Sequence, residues 1–553
     1  MYKTRSRITI TISATLLLAA AFGFPNALRQ QVEPIAHATS TYIVNTTDDH
    51  DDGVCNAADC TLREAINAAN ALVNSNTSPH NINFSIPGSG VHTINVTSPL
   101  PQLTLTQIDI NGPTLNGMPL IEINGANAGA NANGLSFVNG AAGFSGSGVF
   151  NLIINRFTGY GVSVDGDGVS IRGCLIGTNA AGTAAAPNGL GGLRINSVGT
   201  RIESNVISGN KGDGIDVVHG DPIIAANFIG TNASGTTAVP NTGHGIKIEN
   251  NLRPATIGGA TAGAGNVVSG NGQVGIQISG TSGPVLVQGN FIGTNSSATV
   301  TIPNSVGIDV ENADGNKIIG NTIFHNSSDG VQLNSSNNTL QGNFISSQGN
   351  GFLGIDNVGS GVTGANGVTI ISGNNNTIGG TQINAGNVIS ENAGSGIEIS
   401  SGSDTLILGN VITSNVSGSI HSAGVRITGG SAIVGGTEPG SANVISGNSP
   451  VDIEKPRPEL FPAAIGPGLI GEGGVYISGG AGSQVLGNFI GTNSAGTASL
   501  GGQLVGVTID SAANNIIGGT TAAARNIIAG NANEGVRITG PGATNNVVQG
   551  NLI

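Results

Sequence analysis

One phrase recurs down this chain: Asn, any residue, then Ile or Val. Its last residue falls at Ile207, Ile229, Val268, Ile292, Ile323, Ile345, Ile389, Ile412, Ile445, Ile490, Ile528 and Ile553. A dozen returns of one short phrase mark a solenoid, in which each unit buries its apolar side chains against its neighbours. Successive phrases lie 22 residues apart from Ile207 to Ile229 and from Ile323 to Ile345, and 23 apart from Ile389 to Ile412. Other gaps are longer, 31 from Ile292 to Ile323 and 45 from Ile445 to Ile490. A bare unit near 22 with variable excess predicts one turn of a parallel β-coil plus loops of differing length.

Each unit carries a second phrase: Gly, an aliphatic, a variable residue and another aliphatic. Examples are Gly214-Ile215-Asp216-Val217, Gly245-Ile246-Lys247-Ile248 and Gly396-Ile397-Glu398-Ile399. Period-two alternation turns the aliphatics inward and the variable residue outward. Gly209-Asn210 and Gly270-Asn271 read as turn residues between strands. At about 4.8 Å per rung, equivalent Ile residues form internal files, and Asn205, Asn227, Asn266 and Asn290 form a column at a bend. An amide is both donor and acceptor, so each Asn can bond the rung above and below. With 92 Gly in 553 residues, 9% charged residues and no Trp, the composition suits short strands and many turns. The net charge of -13 excludes nucleic acid, which needs a basic face.

Lys3, Arg5 and Arg7 precede the apolar run from Ile8 to Phe24, and Ala36-His37-Ala38 offers a small-residue cleavage site. Residues 1–38 therefore read as a secretory signal peptide. The run is too short to span a bilayer, which takes about 20 residues, and no later stretch could cross one. Export permits a disulfide between Cys55 and Cys60. Cys174 stands where other repeats carry the phrase Asn, and reads as a buried small side chain. The stretch from Pro450 to Pro467, with Asp452, Glu454, Lys455, Arg457 and Glu459, breaks the pattern and must leave the coil. The chain stops at Asn551-Leu552-Ile553, where four earlier units continue as Ile-Gly-Thr-Asn. It reads as truncated at its C-terminal end.

Before the coil, Thr41 to Asn45 reads as a strand, and Thr61-Leu62-Arg63-Glu64 as a capping box starting a helix. Leu62, Ala65, Ile66, Ala69 and Val73 share one face of that helix, which can cover the open end of the coil. The run Cys60-Thr61-Leu62-Arg63-Glu64-Ala65 resembles the CSLREA domain, with Thr for Ser, over about 30 residues from Tyr42 to Asn70. The remainder is similar to the right-handed parallel β-helix, or pectate-lyase-like, repeat proteins. The resemblance implies the handedness of the coil and an exported bacterial protein of the cell surface or medium. It does not imply one activity. The fold expected is all-β: a single-stranded right-handed parallel β-helix, with a signal peptide at 1–38, a cap at 39–80 and the coil at 81–553.

The outward residues of the second phrase define a ligand-facing column: Arg194, Asp216, Lys247, Gln277, Asp309, Gln332, Glu398, Arg426, Tyr476, Thr508 and Arg537. Such a column could track an extended chain such as an acidic polysaccharide, or a cell-surface partner. Titratable residues are densest between Arg194 and Glu249, where Asp213, Asp216, His219, Asp221, His244 and Lys247 occur. An enzyme here would use Asp213, Asp216, His244 and Lys247, with lyase chemistry ahead of glycoside hydrolysis. In a lyase, Lys247 would be the base that takes the sugar α-proton, with Asp216 and Asp309 on nearby rungs. The polygalacturonase and pectate-lyase signatures are incomplete. Asp48, Asp51 and Asp52 are a weak calcium candidate without EF-hand spacing, and no other cofactor is expected. The leading expectation is a non-catalytic surface for adhesion or glycan binding.

Overall fold

The computed structural model describes residues 40–72, 80–104, 107–138, 146–250, 253–280, 283–346, 365–415, 422–448 and 472–553. Residues 1–38, read above as a signal peptide, Val73 and the Pro-rich stretch from Pro450 to Pro467 lie outside the described residues.

Three sheets of 17, 15 and 14 strands, here A, B and C, run the length of the described chain. One turn visits each once: Arg201–Glu203 in A, Val206–Ile207 in B, Asp213–His219 in C, then Ile223–Ala225 back in A. Each strand in these sheets pairs in parallel with its equivalent one turn away, as Val206–Ile207 does with Phe228–Ile229. A strand, a crossover and a parallel strand in the same sheet wind right-handed. The fold is thus a right-handed parallel β-helix with a short helical cap. The Ile and Val that end the repeated phrase, from Ile207 to Ile490, are all fully buried. They belong to one core that begins at Val44 and the cap.

The phrase asparagines line the corner between A and B. The Asn290 amide shows why they recur. Its Oδ1 accepts the Nδ2 (2.8 Å) and the backbone N–H (3.0 Å) of Asn266. Its Nδ2 donates to Asn321 Oδ1 (3.0 Å) and to the Ile257 carbonyl (2.9 Å). Both lone pairs and both donors are used. The same links run unbroken from Asn205 through Asn227, Asn266, Asn290, Asn321, Asn343 and Asn387 onward to Asn551. Cys174 takes the place at the head of this ladder. Its N–H donates to Asn205 Oδ1 at 2.9 Å, and burial pushes its thiol up to about 12. At the corner, Gly289 (φ 69°) precedes Asn290 in the left-handed conformation, which Gly adopts without strain.

Asn210 and Asn271 lie in turns between strands, as their sequence setting predicts, but they are not exposed. They lie buried in a second ladder at the B–C corner, Asn188–Asn210–Asn241–Asn271–Asn304–Asn326, with links of 2.9–3.1 Å. The chain turns there with its amides pointing inward. A third, shorter ladder, Asn316–Asn338–Asn376, holds the C–A corner. The Gly of the second phrase follows from the B–C ladder. A Cβ on Gly245 would lie 2.8 Å from Asn271 Nδ2 and 2.6 Å from the Gly275 carbonyl.

Excess residues leave at the corners. The four Ile-Gly-Thr-Asn segments each form a loop closed by an antiparallel bridge, such as Thr178 to Ala185. Inside the first, Asn179 Oδ1 accepts the N–H groups of Thr183 (2.9 Å) and Ala184 (3.2 Å).

At the N-terminal end, helix Leu62–Asn70 carries the capping box: Glu64 N–H donates to Thr61 Oγ1, and Thr61 N–H to Glu64 Oε2 at 2.8 Å. Arg63 is buried as well. Its guanidinium binds Asp49 Oδ2 and the carbonyls of Ser98 and Pro99, each at 2.8 Å. Cys55 and Cys60 are disulfide-bonded. The cap is continuous with the coil, because Thr41–Val44 pairs with His80–Phe84 in sheet A.

Replacing Asn290 by Ala strips the acceptor from two buried donors of Asn266. The expected cost is about 1–3 kcal/mol per donor left unpaired, read as a lower urea midpoint. Gln288→Ala, at a half-exposed position, should stay within about 0.5 kcal/mol. Equal midpoints for the two variants would show that the ladder does not hold the corner.

Candidate functional site on sheet C

Sheet C brings the outward residues into one file. Cα register runs Arg194–Asp216–Lys247–Gln277–Asp309–Gln332, then through Thr369 to Glu398, Arg426, Tyr476, Thr508 and Arg537. Three members escaped the sequence reading. Thr369, Ser163 and Ser136 stand in Gly367-Val368-Thr369-Ile370, Gly161-Val162-Ser163-Val164 and Gly134-Leu135-Ser136-Phe137, the same second phrase with a hydroxyl in the variable place.

Around Asp216 the structure gathers four of the predicted residues on two adjacent rungs. Asp213 and Asp216 share strand Asp213–His219, and Lys247 lies opposite Asp216. The His244 N–H donates to Asp213 Oδ1 at 2.7 Å. Tyr160 joins them from two rungs away. Its ring lies over Gly191, where a Cβ would come within 3.0 Å of it, and its hydroxyl donates to Asp216 Oδ2 at 3.4 Å. His219 sits at the strand end opposite Asn196. Asp221 lies beyond it, its carboxylate accepting the Gly199 N–H.

Burial raises the Asp216 carboxyl above the ordinary range, and nearby Glu249 adds to the shift against the pull of Lys247. Burial lowers the His244 imidazole and favours its neutral form. Asp216 Oδ1 and His244 Nδ1 are buried without a hydrogen-bond partner among the described residues. Lys247 behaves otherwise. Burial opposes its charge, but Glu249 Oε2 at 2.7 Å outweighs that and holds the ammonium above its usual value. A lysine held charged is a poor proton acceptor, so the arrangement disfavours Lys247 as a lyase base.

A second network centres on Asp329, which stands before Gly330 as Asp213 stands before Gly214. That shared Asp-Gly-aliphatic spelling was the available signal. Asp329 accepts the Asn366 N–H (2.7 Å), the Thr369 hydroxyl (2.7 Å) and Gln332 Nε2 (2.9 Å). Burial still raises its carboxyl. Next along the sheet, Arg426 binds Glu398 (2.7 Å) and Glu472 (2.6 Å) and lies 5.7 Å from the Tyr476 ring centre. Burial, with Glu472 and Asp510, pushes the Tyr476 phenol up to about 12. The charged groups thus spread along the sheet.

Two cavities are lined by other residues, although the first shares strands with Gln332 and Thr369. A polar notch of about 450 Å³ opens at the C–A corner, lined by Asn312, Asp314, Asn334, Ser336 and Ser372. An apolar groove of about 440 Å³ lies on sheet B between Phe228, Val267 and Phe291. In the N-terminal loop, Asp51 and Asp52 accept the N–H groups of Gly53 and Val54. Among the described residues, the carboxylates of Asp48, Asp51 and Asp52 do not meet at one point. The potential ligands within 4.8 Å of one another are His50, Asp52 and Glu64, and Glu64 is committed to the helix cap.

No protein-family model matches the sequence, and no curated protein matches it. Among solved structures, the chain is similar to the DFA-IIIase of Arthrobacter chlorophenolicus A6 without its lid, at 15% identity over 74% of this chain and 94% of that one, with a TM-score of 0.40. It is similar to the Dettilon tailspike protein at 13% identity over 90% of this chain and 68% of that one, TM-score 0.36. It is also similar to the mannuronan C-5 epimerase AlgE4 A-module of Azotobacter vinelandii at 12% identity over 88% of this chain and 92% of that one, TM-score 0.32. Likeness at this level says nothing of activity or ligand.

The raised Asp216 carboxyl binds protons more tightly folded than unfolded. Its contribution to stability therefore improves as pH falls through the raised value toward about 4, the ordinary aspartate range, and its ionised form detracts at neutral pH. Asp216→Asn is expected to raise the melting temperature most near neutral pH, with the gain shrinking as the solution is acidified. A gain independent of pH would show that Asp216 ionises as freely as an exposed aspartate.

Proposed function

We propose that this is an exported β-helix whose sheet C presents an extended face for adhesion or glycan binding, without turnover. The observation that carries the reading is the file of outward side chains from Ser163 to Arg537, in register across successive rungs of sheet C. Carboxylates, amides, hydroxyls and a tyrosine recur there at the rung spacing of about 4.8 Å. A polymer lying along the sheet meets a hydrogen-bonding group at nearly every step. The spread of charged groups along the face also supports binding over a single catalytic centre. The Cys55–Cys60 disulfide supports export to an oxidising compartment.

Polysaccharide cleavage at Asp213, Asp216 and His244 is the second reading. The specific observation for it is the pair of buried, unpartnered atoms, Asp216 Oδ1 and His244 Nδ1. Buried carboxyls with raised affinity for protons are common where general acids act. Against it stands Lys247, held charged by Glu249.

Binding along a file predicts shared losses. Gln277→Ala and Thr369→Ala should each weaken retention on cell-wall glycan by roughly twofold to tenfold, the effect of one hydrogen bond, with no new reducing ends or unsaturated products from the wild type. Turnover abolished by Asp216→Asn or Lys247→Ala would replace this reading with the enzymatic one.

A further inference from the structure

Charge is not uniform along sheet C. On the rungs carrying Gln277, Asp309, Gln332 and Thr369, the neighbouring outward file reads Ser279, Glu311, Asn334 and Ser372. Neither file holds a Lys or Arg there. The cations on either side are already neutralised: Lys247 by Glu249 at 2.7 Å, and Arg426 by Glu398 and Glu472 at 2.7 and 2.6 Å. Arg194 is paired with Asp165 at 3.1 Å. A uronate or sulfate brought to this stretch would meet Asp309 and Glu311 with no opposing charge, and like charges across a contact suppress a partner.

The polar notch opens beside these rungs. Asn312, Asn334, Ser336 and Ser372 line it with amides and hydroxyls, and Asp314 is its one charged group. Asp314 Oδ1 accepts the Ser336 N–H at 2.8 Å, which ties the wall of the notch to the next rung. Ser372 and Asn334 are hydrogen-bonded to each other across its edge. Its volume of about 450 Å³ falls within the range of about 300–1,000 Å³ typical of small-molecule sites. Amides and hydroxyls both donate and accept, as sugar hydroxyls do.

We infer that the stretch from Gln277 to Thr369 takes a neutral, hydroxyl-rich saccharide chain, not a polyanion, with the notch around Asn334 as a subsite for a sugar residue. This rests on the glycan-binding reading of sheet C and narrows its ligand to a neutral polysaccharide in place of an acidic one. Ligand selection here comes from uncharged hydrogen bonding, so affinity should be insensitive to salt, whereas a polyanion held by cations would be released by it.

The test is affinity electrophoresis of the full chain through gels containing mixed-linkage β-glucan or galactomannan, and through matched gels containing polygalacturonate or alginate. Retardation is expected in at least one neutral gel, unchanged by added salt, and not in the polyanion gels. Asn334→Ala and the isosteric Asn334→Asp should each weaken it by about threefold to tenfold. Arg172→Ala, on the outer face of sheet A, should leave it unchanged. Folding of each variant is checked by its melting temperature, and the choice between gels by the wild type needs no variant. Retardation confined to the polyanion gels overturns the inference and leaves glycan binding standing. Neutral-gel retardation unaffected by both Asn334 changes removes the subsite. No retardation in any gel overturns the glycan reading and this inference with it.

Discussion

The amide of asparagine has two donors and one oxygen with two lone pairs, and the corners of this coil use all of them. In the A–B ladder each oxygen takes both the side-chain and backbone N–H of the rung before it, while the amide nitrogen reaches the next oxygen and a main-chain carbonyl. A backbone that turns sharply away from its sheet leaves polar groups that water cannot reach, and unpaired groups there are costly. The ladder supplies their partners at the same place on every rung. Cys174 shows what the position tolerates: a small buried side chain whose backbone N–H still feeds Asn205.

Fixed corners have two consequences. Insertions are confined to them, so gaps of 22 to 45 residues between phrases coexist with parallel pairing from rung to rung, which shifts register in sheet C at Ile195/Asn196 and Leu333/Asn334. Outward side chains are also held in files whose spacing the chain does not choose. Such a face works like a ruler: its chemistry is set residue by residue, its period by the backbone. The Gly of the second phrase belongs to the same logic, because only a residue without Cβ fits against the B–C ladder.

Sheet C bears features that stability alone would remove. Burial raises the carboxyls of Asp216, Asp309 and Asp329, each a group less comfortable ionised in the folded protein than in water. Arg194, Lys247 and Arg426 are taken up by neighbouring carboxylates. The electrostatics therefore close in on themselves, while the intervening rungs carry amides and hydroxyls, of which Gln332 and Thr369 brace Asp329. Such a division fits a face that recognises shape and hydroxyl pattern more than charge.

Repetition made the fold legible. The 22-residue unit, the buried Ile files, the A–B ladder, the capping box and the Cys55–Cys60 pair could all be read from order along the chain, because each depends on local alternation or on short spacing. The outward file was legible for the same reason, apart from Thr369, Ser163 and Ser136, whose hydroxyls drew less notice than charges. Gly209-Asn210 was legible as a turn but not as a ladder corner, because an exposed turn and a buried one share one spelling and only the direction of the amide separates them. Which side chains on the face neutralise one another was decided by the tertiary structure. Glu249 holds Lys247 from the same strand; Glu472, 46 residues along the chain, is brought to Arg426, and Tyr160 reaches over Gly191 to Asp216. Those partnerships depend on stacking distant segments about 4.8 Å apart, and a linear sequence gives the period of that stacking without saying which side chain turns toward which.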